Sequence, residues 1–509
     1  MREAGARFAS ARLAGIAGAL LCTTAVFAAG PLPPDSASAP WVPAAGDKPA
    51  ALEVPHTEIP AVAPGTQVTL AQVLDLALRN SPHTRETWLA ARAAAAEIGV
   101  QRAQYYPSLG VGANATRVEQ SQVGGTVRVQ QTTYGPTADL AMLLFDFGGR
   151  RADMDEARQA LLAADWTHNA AIQDVVLSVE RAYYGYLGSA SLRDAYLDSV
   201  RQAQASLDAS EERRKAGLAT IADVLLARTL LAQQRFALAR TEGDMSTTKG
   251  ALATAVGLPP DIQVEVSRLG ALPDELPSVP ELAPSTEAMG RLLRRALADR
   301  PELLAERAEV LAAEARVKQE RSDGLPTLTL GATANRTFYV DRPNAHPSTN
   351  TQAQLLLHWP LFTGFETKFR VAKARAEAEL EQAHLDEVVQ IAMLDVWTAF
   401  YKLQTAAQSV DASRALLDSA SQSADVAGGR YKEGVGNILD LLTAQASLAN
   451  AHAAEIQSRA EWFVALAELQ RSTGALGLAA PAGPDQAVPA APDAVTEPNS
   501  AAASAEGKP

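Results

Sequence analysis

Histidine is the side chain best suited to bind metal or move protons at neutral pH, and this 509-residue chain has seven. They are scattered, and none forms a His-Glu-x-x-His run or a paired zinc spacing. Gly110-Val111-Gly112 has closely spaced glycines but sits in a strand-like stretch, without the following helix whose N–H groups would cradle a phosphate. Thr248-Lys249-Gly250 sets a lysine beside a hydroxyl and lacks the preceding glycine-rich loop of a nucleotide site. The one cysteine, Cys22, lies in an N-terminal segment that reads as cleaved, so no thiol nucleophile, disulfide or thiolate metal site is expected. No enzyme constellation, cofactor cradle or metal site emerges. Function must then follow from how the long elements are placed.

Residues 1–28 read as a signal peptide. Arg2, Arg7 and Arg12 give a basic start, Leu13 to Phe27 an apolar stretch, and Val26-Phe27-Ala28 a cleavage site. A membrane anchor is the other reading, opposed by the shortness of the run and by Pro31, Pro33 and Pro34 after it. Lipidation of Cys22 is opposed by the bulky Leu20-Leu21 before it. Lys plus Arg total 45 and Asp plus Glu 58, a net charge of −13 that argues against a nucleic-acid partner. Aromatics are only 5%, which suits closely packed helices better than a thick globular core. No later segment offers about 20 consecutive apolar residues. An exported chain without such a helix is either soluble or spans a bilayer as a closed barrel.

The chain is duplicated. Asn80-Ser81-Pro82 matches Asp299-Arg300-Pro301, and Tyr106-Pro107-Ser108-Leu109 matches Leu325-Pro326-Thr327-Leu328, both 219 positions on. Leu144-Phe145 matches Leu361-Phe362 at a shift of 217. That second shift holds without a gap through Ala182-Tyr183-Tyr184 against Ala399-Phe400-Tyr401, and through Lys215-Ala216-Gly217 against Lys432-Glu433-Gly434. Two copies of one unit follow, residues 67–280 and 281–477, between a Pro/Ala-rich segment 29–66 and an Ala/Pro-rich tail 478–509 expected to be disordered.

Each copy orders its elements alike. A short helix starts at Thr69, which with Gln72 makes a capping box. A second starts at Ser81-Pro82 and stops before Pro107. Two strand-like stretches follow, about 108–120 and 132–146, with counterparts at about 327–340 and 350–363. A proline-free helical stretch then runs from about Gly149 to Arg213, long enough for a rod of roughly 100 Å. Gly217 breaks it, and Thr220 caps a helix continuing to about Val256. Ile172, Val175, Val179, Tyr183 and Tyr186 define a narrow coiled-coil stripe, as do Val389, Met393, Val396, Phe400 and Leu403 in the second copy. A soluble bundle would show the same rods.

The strands separate the alternatives. Leu328, Leu330, Ala332 and Ala334 alternate with Thr327, Thr329, Thr333 and Asn335. Ala353, Leu355, Leu357 and Trp359 alternate with Gln352, Gln354 and His358, with Leu356 the exception. In the first copy Leu109, Val111, Ala113 and Ala115 share one parity, as do Leu140, Met142 and Leu144, with Asp139 on the other. Such alternation marks a membrane barrel, and equally a half-buried soluble sheet. Four strands cannot close a barrel, because small closed barrels need about eight, and open edges in hydrocarbon leave backbone groups unpaired. If these strands span lipid, several chains must pool them. The loops around Gly124-Gly125 and Asp341 to Asn350 are then the extracellular tips.

Over about residues 66–476 the chain resembles the TolC family of outer-membrane channels. The resemblance rests on the doubled helix–helix–strand–strand–long helix–helix plan and on matched pieces. These are Leu144-Phe145-Asp146 with Gly148-Gly149, Pro360-Leu361-Phe362-Thr363-Gly364, and Tyr431-Lys432-Glu433-Gly434 followed by Leu439-Asp440-Leu441-Leu442-Thr443-Ala444-Gln445. It implies a mainly α fold with a membrane β-barrel portion: a homotrimeric twelve-strand barrel continued by a long helical coiled-coil cylinder into the periplasm. It implies a periplasmic adaptor and an energised inner-membrane transporter as partners, with outer-membrane lipid around the barrel. The turns Ala216-Gly217-Leu218 and Glu433-Gly434-Val435 correspond to the tips where the family docks its adaptor, often through a Val-Gly-Leu-like triplet. This chain departs from that triplet at Ala216, Glu433 and Val435. Asp425, with its repeat mate Asp208 and with Glu211, stands where the resemblance implies a carboxylate ring at a periplasmic aperture. A solvated helix face is the plainer reading of those acids. The function implied is a passive exit duct for small molecules or drugs. Protein secretion is the alternative within the family, and a soluble periplasmic coiled-coil scaffold the alternative outside it.

Overall fold

The computed structural model describes residues 69–122, 127–260, 272–277, 286–341 and 345–476. The segments 1–28, 29–66 and 478–509, the Gly124-Gly125 turn and the junction between the two copies at 280/281 lie outside the described residues. The chain runs through α1 (Leu70–Asn80), α2 (Pro82–Ala103), β1 (Ser108–Gln122), β2 (Val127–Phe145), α3 (Gly149–Lys215) and α4 (Ile221–Ala255). It then repeats the order as α5 (Thr286–Asp299), α6 (Pro301–Ser322), β3 (Thr327–Tyr339), β4 (Ser348–His358), α7 (Glu366–Lys432) and α8 (Ile438–Ser472).

Local chemistry sets the ends. Thr69 and Gln72 exchange side-chain and backbone hydrogen bonds in a capping box at α1. Thr220 and Asp223 do the same at α4. Ser81 caps α2, and Pro82 and Pro301 occupy the first turns of α2 and α6, where a missing N–H costs nothing. The long helices α3 and α7 have 67 residues each, about 100 Å at 1.5 Å per residue.

The described strands form one antiparallel sheet in the order β1-β2-β3-β4. Its register puts like with like. One face runs through the rows Leu109–Leu140–Ala332–Ala353 and Val111–Ala138–Ala334–Thr351, and through Met142–Leu330–Leu355. The other runs through Gly110–Asp139–Thr333–Gln352 and Gly112–Thr137–Asn335–Asn350. The apolar face is bare on a single chain: Val111 is 85% exposed, Leu109 73% and Leu357 67%. Leu356 falls on the polar face, in a row with Leu143 and Thr329. Gly135 is fixed by backbone proximity, since a Cβ there would sit 1.7 Å from the Arg336 carbonyl oxygen.

Several strand details differ from the alternation pattern. A bulge between Leu143 and Phe145 throws Leu144 out of register, and Phe145 takes its place opposite Leu328. β2 begins at Val127 rather than near 132, because pairing with β1 continues to the described end of the hairpin. β4 stops at His358 rather than 363, where Trp359-Pro360 follows and proline has no N–H for the ladder. In α7 the buried seam passes through Ala392, Val396, Phe400 and Leu403, and Met393, one residue off it, is 42% exposed.

The helices repeat the order of the strands. α2 packs on α3, α3 on α6 and α6 on α7, while α4 pairs with α3 and α8 with both α7 and α3. The described body therefore has two layers with matching open flanks, β1 and α2 on one side and β4 and α7 on the other. A central apolar core ties the helices together, with Val179, Val396, Leu403 and Val410 fully buried. Full burial of such a side chain stabilises by about 1.5–3 kcal/mol.

Candidate functional site

Two features stand out once the fold is assembled, the strand-to-helix elbow and the far ends of the long hairpins. At the elbow, beside the bulge in β2, Arg150 gathers three backbone carbonyls. Its guanidinium donates to the carbonyl of Leu143 at 2.8 Å, of Leu144 at 3.2 Å and of Gln104 at 3.3 Å. It also lies 4.7 Å from the centre of the Tyr105 ring and pairs with Asp146 at 3.2 Å. The Asp146 carboxylate accepts from the Gly148 and Arg150 backbone N–H groups and so caps the start of α3. Phe147 (φ 51°) and Phe365 (φ 68°) hold left-handed backbone at the two elbows. Their rings stack edge-on against Phe145 and Phe362, all four exposed.

At the far ends both long helices close with the same hydrogen-bond pattern. Gly217 (φ 75°) donates to the Arg214 carbonyl and Leu218 to that of Arg213. Gly434 (φ 77°) donates to Tyr431 and Val435 to Arg430. This left-handed stop is the Schellman arrangement, which glycine adopts without a Cβ penalty. It thrusts Leu218 and Val435 outward, each 71% exposed, while Ala216 and Glu433 form the cap positions. Behind the tips, Ala203, Leu207, Leu230, Tyr431, Ile438 and Leu441 pack into one cluster, so the two hairpins act as one body.

The expected aperture acids behave differently from one another. Asp425 is exposed and lines a groove of about 460 Å³ with Arg213, Tyr431, Lys432, Gln202 and Gln445. Asp208 is exposed and accepts from Gln204 one turn earlier at 2.8 Å. Glu211 pairs with Arg228 at 3.2 Å and so tethers α3 to α4. Neither Asp208 nor Glu211 lines the Asp425 groove, and among the described residues no three metal-ligating side chains converge. Gly428 and Gly429 line the Asp425 groove, where the missing side chains leave room between the hairpins.

Residues that sequence reasoning passed over hold this end together. Arg213 crosses from α3 to α7, donating to the Tyr431 carbonyl and stacking on its ring. The internal repeat carries no signal for this pair, because the mate of Arg213 is Arg430 and the mate of Tyr431 is Arg214. Farther up α3, burial pushes the Glu180 carboxyl up to about 7. The Tyr184 hydroxyl, one turn on, is pushed up to about 12 by burial and by the Glu180 charge.

Known proteins share this plan. The model of the family described as outer membrane efflux protein matches residues 73–258 and 292–475, one match in each copy of the repeat. Protein CyaE of Bordetella pertussis is 31% identical over 415 residues, covering 80% of this chain and 85% of that protein. Outer membrane protein OprJ of Pseudomonas aeruginosa is 26% identical over 409 residues, 80% of this chain and 84% of its own. The crystal structure of outer membrane protein VceC from Vibrio cholerae superposes with a TM-score of 0.69 at 22% identity, covering 80% of this chain and 96% of that one, and supports the fold.

Proposed function

The chain belongs to the outer membrane efflux protein family, and from that membership we propose that it is the outer-membrane exit duct of a tripartite export system, carrying small molecules or drugs outward. One observation carries the proposal. The sheet and the helical layer beneath it are open on the same two flanks, β1 with α2 and β4 with α7. An open edge in hydrocarbon leaves N–H and C=O groups unpaired at several kcal/mol each, so the described fold is incomplete as a monomer in a bilayer. Joining the β4/α7 flank of one copy to the β1/α2 flank of the next completes both layers at once. Three copies make a ring of twelve strands, with the apolar rows through Leu109 and Val111 toward lipid and the row through Asp139 toward water.

The duct performs no chemistry. The long hairpins reach into the periplasm, where Asp425 of three copies, with Asp208 and Glu211 behind it, lines the aperture. The exposed tips Ala216-Gly217-Leu218 and Glu433-Gly434-Val435 receive a periplasmic adaptor, and an energised inner-membrane transporter selects and drives the cargo. Deletion tests this. Loss of the chain lowers tolerance to toxic small molecules and raises their cellular retention, and expression of the intact chain restores both. A deletion strain with unchanged tolerance that instead loses an exported protein would move the assignment to protein secretion. Unchanged tolerance and unchanged export would refute the duct.

A further inference from the structure

The polar face of the sheet is nearly free of charge. Among the described side chains of the four strands it carries one carboxylate, Asp139, and no lysine or arginine; hydroxyls, amides and glycines make up most of the remainder. His358 lies six residues along β4 from Gln352, the β4 member of the Asp139 row, roughly 20 Å away at strand spacing. Asp139 is exposed, stands opposite Gly110 and Thr333, and forms no side-chain hydrogen bond or ion pair with a described residue. The geometry points to Asp139 as a determinant of charge selectivity within the barrel: three copies form a carboxylate ring that favours cations over anions on the way out. The inference rests on the ring-closed barrel proposed above.

Scale decides whether three charges matter in so wide a passage. Twelve strands about 4.8 Å apart and tilted about 40° close at a backbone radius of about 12 Å. An inward aspartate brings its carboxylate to about 9 Å from the axis. The Debye length is about 10 Å at 0.1 M salt and about 30 Å at 0.01 M. At low salt the whole cross-section feels the ring, and no neighbouring cation on that face cancels it. At high salt the effect fades. The selectivity is therefore of the charged-ring kind, dependent on ionic strength.

The test is reversal potential across a planar bilayer in a KCl gradient centred near 0.01 M, with the full-length channel. Asp425→Asn, Asp208→Asn and Glu211→Gln together remove the aperture carboxylates, so the change on adding Asp139→Asn belongs to the barrel. That variant keeps a preference for K⁺, and adding Asp139→Asn brings the K⁺/Cl⁻ permeability ratio to about one. An unchanged ratio on adding Asp139→Asn, or a ratio of one in the aperture variant before it is added, would overturn the assignment. Asp139→Cys, probed with a charged, membrane-impermeant thiol reagent, separates this failure from failure of the barrel itself. Modification that changes conductance places the position in the lumen. A conducting channel in which that cysteine stays inert refutes the inward face, and with it the selectivity.

Discussion

The Arg213 guanidinium lies 4.6 Å from the centre of the Tyr431 ring and donates to the Tyr431 carbonyl at 2.7 Å, joining the last turn of α3 to the last turn of α7. Tyr431 is buried beneath it in the cluster that unites the two hairpins. The same guanidinium lines the groove that contains Asp425. Any separation of α7 from α3 at this end must break the stack and the hydrogen bond together.

Arg213→Ala and Tyr431→Ala therefore favour the open aperture. Arg213→Ala loses a cation–π contact and a charged hydrogen bond, together roughly 2 kcal/mol or about thirtyfold in an open-to-closed ratio, whereas Tyr431→Ala loses the ring contact and keeps the backbone acceptor. Planar-bilayer recording checks this, with longer open dwell times expected for both variants. The double variant should cost less than the sum of the two singles, because the guanidinium–ring stack is lost in both, while Tyr431→Ala alone keeps the carbonyl that accepts from Arg213.

Arg150→Ala is expected to cost about 3 kcal/mol or more, because it strips donors from three carbonyls and leaves Asp146 without its cation. Arg150→Lys should not restore the loss, since one ammonium cannot reach acceptors spread around a planar fork. Yield of assembled channel in the outer membrane and its thermal dissociation temperature measure both.

Neighbouring residues of β3 should respond oppositely to the same change. Ala332 lies on the apolar face and Thr333 on the polar one. An arginine facing lipid near the bilayer midplane costs about 2–4 kcal/mol per copy, and one facing water little. Ala332→Arg should abolish assembly and Thr333→Arg leave it intact, as read from heat-modifiable mobility of outer-membrane fractions.

Glu180 gives the body a pH dependence of definite sign. Its folded pKa of about 7 lies above the ordinary glutamate value of 4.5, so the folded state holds the proton more tightly than the unfolded one. The associated stability is complete below about 4.5 and is lost as pH rises through about 7. The full span is on the order of 2–3 kcal/mol. Glu180→Gln should flatten the change in dissociation temperature between pH 5 and pH 8, a comparison made on the purified channel.

The sequence makes the covalent-scale regularities legible and misses contacts between distant segments. Capping at Thr69, Ser81 and Thr220, first-turn proline at Pro82 and Pro301, and the glycine stops at Gly217 and Gly434 are local, so residue type alone places helix ends to within a residue or two. Strand alternation is equally local and gives the two faces of the sheet. The bulge at Leu144 is not local, because it depends on how β2 must bend to enter α3 and on Arg150 donating to the Leu143 and Leu144 carbonyls. Met393 lies off the seam because a stripe stepping by three or four tolerates a one-residue slip, which only packing against α6 and α8 resolves. Arg213 and Tyr431 meet across 218 positions of sequence, and neither is the repeat mate of the other.

The account depends most on the sheet being one third of a closed barrel. Native mass spectrometry of detergent-extracted outer membranes tests it directly: the released particle should contain three chains and nothing smaller that is stably folded. A single folded chain recovered from the aqueous fraction without detergent would contradict it.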